Sequence, residues 1–154
     1  MTVAQSIAHL SNRFYDAIRS SSARKAAEHP VAEGNLDALE GHKYCLVTTF
    51  KRSGEPVATP LWFGLGDEKL YFRTYADAAK AKRIHNDQRV LVGPCDARGN
   101  PKGPMIEARA RLLPESEESV AEQAIRANYG LSRRLYLAAF SGRVPDTYAE
   151  VTPT

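Results

Sequence analysis

Apolar positions near the start of the chain recur at helical steps. Val3, Ile7, Leu10, Phe14 and Ile18 form one stripe, which predicts an amphipathic helix over residues 3 to 19. Its polar face is not rich in Lys, so packing on the body or on a partner chain suits it better than lying on a membrane. Ser20-Ser21-Ser22 interrupts the stripe. Residues 23 to 41 then read as a polar connector, with a helical turn at Leu36 to Leu39 that Asn35 is placed to cap.

From Tyr44 the period changes to two. YCLVTTF (44–50) is β-branched and aromatic and predicts a strand. KRSGEP supplies a hairpin turn with Ser-Gly, and VATPLWF (57–63) predicts a second strand. Pro60 cannot donate to a ladder, so this second strand belongs at an edge or carries a bulge. GLGDEK turns the chain again and LYFRT (70–74) predicts a third strand. A short helix follows, with Asp77 as N-cap and Ala78, Ala81 and Ile84 as its inward stripe. RVLVGPC (89–95) predicts a fourth strand, and DARGNPKG a Gly/Pro loop with Gly99 in a left-handed position. In PMIEARARLL, Ile106, Ala108, Ala110 and Leu112 face one way and Glu107, Arg109 and Arg111 the other, which suits an antiparallel sheet with one wet face. Two helices follow: ESEESVAEQAIRANYG, which begins with acids and ends at Gly130, and LSRRLYLAAFSG, closed by Gly142. The segment from Arg143 reads as a frayed tail. Five or six short antiparallel strands with helices at their flanks predict a mainly β protein closed into a small barrel, since closure removes exposed edges. The organisation expected is an N-terminal helical extension (1–41), a barrel domain with C-terminal helices (42–142) and a tail (143–154).

Composition changes this picture little. The 154 residues are 43% hydrophobic and 25% charged, which fits one ordinary globular domain. A net charge of +3 is too small to argue for nucleic acid. Cys45 and Cys95 stand in no metal or redox spacing and read as buried thiols in a reducing compartment. With no signal peptide pattern and no run long enough to span a bilayer, a cytoplasmic protein is expected, with no membrane partner.

Candidate chemistry is sparse. Dinucleotide, P-loop, zinc-protease and nucleophile-elbow signatures are absent, and the four histidines have no metal-like spacing, so no metal site is expected. A chain like this either binds something or leaves hard chemistry to a cofactor. The positive signal is the segment after the third strand. Arg73 and Thr74 end that strand, and Lys80, Lys82 and Arg83 sit on the helix that follows. Positive charge, a hydroxyl and a helix N-terminus at one spot make an anion site; a solvated basic face is the alternative. From Arg73 to Arg111 Lys and Arg outnumber Asp and Glu nine to four, so the surplus is regional. Trp62, the single tryptophan, is a core aromatic or the wall of a flat ring pocket.

VTTFKRSGEPVATPLWF, LYFRTYADAAKAKRI, RVLVGPCDARGNPKGP and YGLSRRLYLAAF together resemble the F420-dependent branch of the pyridoxamine 5′-phosphate oxidase-like split-barrel proteins, over roughly Tyr44 to Phe140. The resemblance implies a six-stranded antiparallel split β-barrel. It implies a homodimer with a cofactor at each interface, contacted by both chains. It implies a deazaflavin or flavin laid against Thr59, Pro60, Leu61 and Trp62, its phosphate held by Arg73, Thr74 and Lys80, with Lys82 and Arg83 nearby and the Pro94–Gly99 loop, including Cys95, approaching the ring. Ala79 stands in the phosphate segment where many relatives carry Ser or Arg, which removes one donor.

The activity expected is hydride transfer between coenzyme F420 and a small organic substrate. The alternatives are an FMN-binding oxidase or reductase and a cofactor-binding protein without turnover. Lys82 and Arg83 favour F420, which carries an acidic oligoglutamate tail. No catalytic residue is assigned; Tyr75, Tyr129 and His85 are candidate proton donors. A barrel binding single-stranded nucleic acid ranks below these readings, because the basic residues cluster rather than track a groove.

Overall fold

A computed structural model describes residues 34–140 and 145–154, together with Glu28 and Pro30. The helix expected over residues 3 to 19 and most of the connector lie outside the described residues. The N-cap of the 3-10 turn over Asp37–Leu39 is Leu36, not Asn35; Asn35 sits one residue earlier, where its Oδ1 accepts the Asp37 N–H at 3.1 Å.

Seven strands follow: β1 (Tyr44–Phe50), β2 (Pro56–Leu61), β3 (Phe63–Gly66), β4 (Lys69–Tyr75), β5 (Arg89–Cys95), β6 (Ile106–Leu112) and β7 (Asp146–Pro153). Helix α1 (Ala79–Asn86) is inserted between β4 and β5, and α2 (Glu118–Tyr129) and α3 (Leu131–Phe140) precede β7. All pairings are antiparallel, in the order β2-β1-β5-β6-β7-β4-β3. The two outermost strands, β2 and β3, are separated in sequence by Trp62 alone. A sheet whose opposite edges are one residue apart along the chain has to curl until those edges approach, and this makes it a barrel. The mainly β, split-barrel expectation therefore holds, with seven strands in place of six.

The seventh strand corrects two readings. VATPLWF is not one strand but two, broken at Trp62, and β2 is an edge strand as Pro60 requires. The closing segment is not frayed: β7 lies between β6 and β4. Ala149 and Val151 go to the interior while Tyr148 and Glu150 alternate outward, so the strand earns its place by burial on both faces.

Inside the barrel Cys45, Val47, Phe63, Leu70, Phe72, Val90, Val92, Ala108 and Val151 pack together, and Ile84 of α1 joins them. The wet-face alternation expected for β6 is present, with Ile106, Ala108 and Ala110 buried and Arg109 and Arg111 exposed. On the far side of β1 a second cluster forms from Leu46, Phe50, Ala58, Leu91, Cys95 and Met105. Helix α2 covers the outside of β4 and β7 through Ala121 and Ile125 against Tyr71 and Tyr148. It runs so close to β3 that a Cβ on Gly64 would lie 2.1 Å from the Ala124 carbonyl carbon. Asp67 and Glu68 both have positive φ, 51° and 60°, the two-residue turn whose twist matches a hairpin. No helix among the described residues is long and apolar enough to cross a membrane.

Candidate functional site

The residues Thr59 to Trp62 run off the end of β2 at the seam of the barrel. Thr59 and Leu61 lie opposite Val47 and Cys45 and share the interior face; Pro60 lies opposite Leu46 on the other face. The Pro94–Gly99 loop returns onto that second face. Gly99, at φ 86°, sits where a Cβ would be 3.5 Å from Leu46 and 3.6 Å from Pro60. The structure thus brings together two stretches that are distant in sequence. The loop is rigid for a local reason: Asp96 Oδ1 accepts the N–H groups of Arg98 and Asn100, each at 2.9 Å, and Oδ2 accepts the Asn100 amide at 2.8 Å. Desolvation raises the Asp96 pKa, but these hydrogen bonds outweigh it and leave the carboxyl below its ordinary value.

Trp62 is half-buried and stacks on Tyr129, with ring centroids 4.5 Å apart and planes 15° from parallel. Tyr129 is fixed in turn. Its hydroxyl accepts the Phe63 N–H at 2.8 Å and donates to the Lys43 carbonyl at 2.6 Å. Asn128 donates to the carbonyls of His42 and Phe63, and the Lys43 ammonium donates to the Asn128 carbonyl. Burial above all raises the Tyr129 pKa. Lys43 and Asn128 were not singled out from sequence; no local pattern marks them, since their partners lie some 65 to 86 residues away. Among the three candidate proton donors, Tyr129 is thus committed to the frame, His85 is exposed on α1, and Tyr75 ends β4.

The anion segment divides. Arg73 and Thr74 are consecutive on β4, so they point to opposite faces. Arg73 turns outward and is ion-paired to Asp146 of β7. Thr74 turns to the face of Phe72 and is buried. Lys80 is buried in the first turn of α1, with an 8% exposed surface, and its charge lowers the Cys45 pKa against the dominant effect of burial. Lys82 is exposed, and Arg83 Nε donates to the buried Thr49 hydroxyl at 2.7 Å. The N-cap of α1 is Ala78, not Asp77, and it has no side-chain cap. Ala79, exposed, adds no donor. The helix therefore opens with first-turn N–H groups that no side chain caps; Lys80, buried, lies in that first turn, and Thr74, also buried, lies near the end of the preceding strand. That donor set fits a phosphate-sized anion.

Neither cysteine offers a thiolate. Burial, and then the Asp96 carboxylate, push the Cys95 thiol up to about 12, and burial raises Cys45 as well. Both remain protonated thiols at neutral pH. Among the described residues no group of three His, Cys, Asp or Glu side chains is placed to hold a metal ion.

Comparison with known proteins bears on the fold. No curated protein matches the chain. Among solved structures, the chain is similar to a protein named F420 reductase (TM-score 0.50, 21% identity, 80% of this chain and 96% of that one). It is similar to an FAD-binding protein of Mesorhizobium loti (TM-score 0.55, 16% identity, 75% and 82% covered). It is also similar to HutZ, the haem storage protein of Vibrio cholerae (TM-score 0.57, 13% identity, 75% and 84% covered). These likenesses establish the fold. A family model described as pyridoxamine 5′-phosphate oxidase matches residues 33–151, which include β1 to β6 and β7 as far as Val151. The chain belongs to the pyridoxamine 5′-phosphate oxidase family.

Proposed function

We propose that this protein is an oxidoreductase that holds coenzyme F420 and transfers hydride between it and a small organic molecule. The observation that carries the reading is the corner where β4 passes into α1. Lys80 and Thr74, both buried, and a helix N-terminus with no side-chain cap fall on one short connection, a donor set that suits an anion. The likeness to the F420 reductase supports it across nearly that whole chain.

When bound, the deazaflavin supplies hydride chemistry; everything else falls to this chain. Lys80 and Thr74 would bind the phosphate, with Lys82 adding positive charge beyond it. The free edge of β2 at Pro60 and Leu61 would lie along the ring, and Trp62, held flat by Tyr129, would fix its end. The Pro94–Gly99 loop, stiffened by Asp96, would limit the water that reaches the ring. We include in the proposal that two copies pair and that each cofactor touches both, which size-exclusion chromatography with light scattering tests.

FMN is the second reading, favoured by the FAD-binding neighbour. Parallel fluorescence titrations with F420 and FMN separate the two. On wild type, F420 should bind more tightly. On Lys80→Ala, affinity for F420 should fall by about 1.5–3 kcal/mol, the typical worth of a charge-assisted hydrogen bond. Lys80→Met, which keeps the packing, should show the same loss with an unchanged melting temperature. Equal binding by wild type and both variants would reject the site, and tighter FMN binding would reverse the choice of cofactor.

A further inference from the structure

A cleft of about 340 Å³ opens at the tip of the β1–β2 hairpin, away from the ring segment. From Pro56 to Trp62 the chain advances six residues along and just past β2, roughly 20 Å at about 3.3 Å per residue. One wall is Lys51, Arg52 and Gly54 of the hairpin; the other is Arg83, Asn86 and Asp87 at the end of α1. Phe50 contributes an apolar side, and the Arg89 guanidinium lies over its ring, 4.5 Å from the centroid.

Three cations, Lys51, Arg52 and Arg83, and one acid, Asp87, line the cleft. Lys51 meets Glu55 at 3.1 Å in an exposed pair, which holds it weakly. Arg52 is exposed and makes no ion pair among the described residues. Arg83 is oriented through its Nε bond to Thr49. Asp87, the acid of the cleft, accepts the Arg89 N–H at 3.0 Å. The volume exceeds what an inorganic ion needs and falls at the low end of small-molecule pockets. Guanidinium forks match carboxylates, and Phe50 suits a carbon skeleton.

We propose that this cleft binds a small organic acid carrying two or more carboxylates, as a site separate from the one where hydride is exchanged. The inference does not rest on the deazaflavin reading, and Lys80→Ala should leave it untouched.

Calorimetric titration with citrate and with its uncharged triethyl ester tests it, at low and high salt, on wild type and Arg52→Ser. Citrate should bind wild type, more weakly as salt rises, and Arg52→Ser should lose about tenfold in affinity with no change in melting temperature. The ester should not bind. Absence of citrate binding at millimolar concentration, equal affinity in wild type and variant, or equal binding of the ester would overturn the proposal. A further arm compares F420 with and without its acidic tail. If Arg52→Ser weakens only the tailed coenzyme and leaves citrate unaffected, the cleft belongs to the cofactor and the proposal falls.

Discussion

Tyr129 carries two hydrogen bonds and a stacked indole at once, and this decides its role. Tyr129→Phe keeps the ring against Trp62 but leaves the Phe63 N–H without its acceptor. We expect a loss of about 1–3 kcal/mol in urea denaturation. If turnover is found, its pH profile should be unchanged by this variant; a lost limb would show that Tyr129 handles the proton after all. Residue types at the candidate site were legible in the sequence, because strands, turns and cations sit in a local order. Where side chains point was legible only in part. Consecutive strand residues cannot share a face, so Arg73 and Thr74 had to part. That Arg73 meets Asp146 could not be read without knowing that Asp146 lies on a strand beside it.

At the scale of elements, α2, α3 and β7 are tied by one carboxylate. Glu122 accepts from Arg133, at 2.6 and 3.0 Å, and from the Tyr148 hydroxyl at 2.6 Å. Burial raises the Glu122 pKa, but these donors outweigh it and hold the carboxyl below its ordinary value of 4.5. A folded pKa lower than the unfolded one gives stability that is full above the unfolded value and is lost as pH falls through the folded one. Wild type should therefore lose stability progressively below about pH 4.5, whereas Glu122→Gln, less stable at pH 7 by about 1.5–3 kcal/mol, should have a flatter acid limb. Parallel limbs in a denaturation series from pH 7 to pH 3 would contradict this. β7 itself escaped the sequence reading. Its interior residues are the small Ala149 and Val151, Pro145 precedes it and Pro153 ends it, so local propensity gives little; its place is set by pairing with β4 and β6.

Over the whole molecule, closure of the sheet does two things. It buries the interior cluster, and it puts the two edge strands end to end at Trp62, with the Pro94–Gly99 loop returning beside Pro60. The barrel class was legible from short alternating strands and tight turns. The seam was not, because VATPLWF carries no breaker after Pro60 and the bend at Trp62 comes from joining opposite edges of one sheet. The central claim is that an anionic planar cofactor sits at this seam with its phosphate where β4 gives way to α1. The most direct measurement is a crystal structure of the protein with F420 bound. The account predicts the phosphate within about 2.7–3.2 Å of the Lys80 ammonium and the Thr74 hydroxyl, and the ring along the free edge of β2 at Pro60 and Leu61. A coenzyme bound elsewhere, with this corner closed by the protein's own side chains, would contradict it.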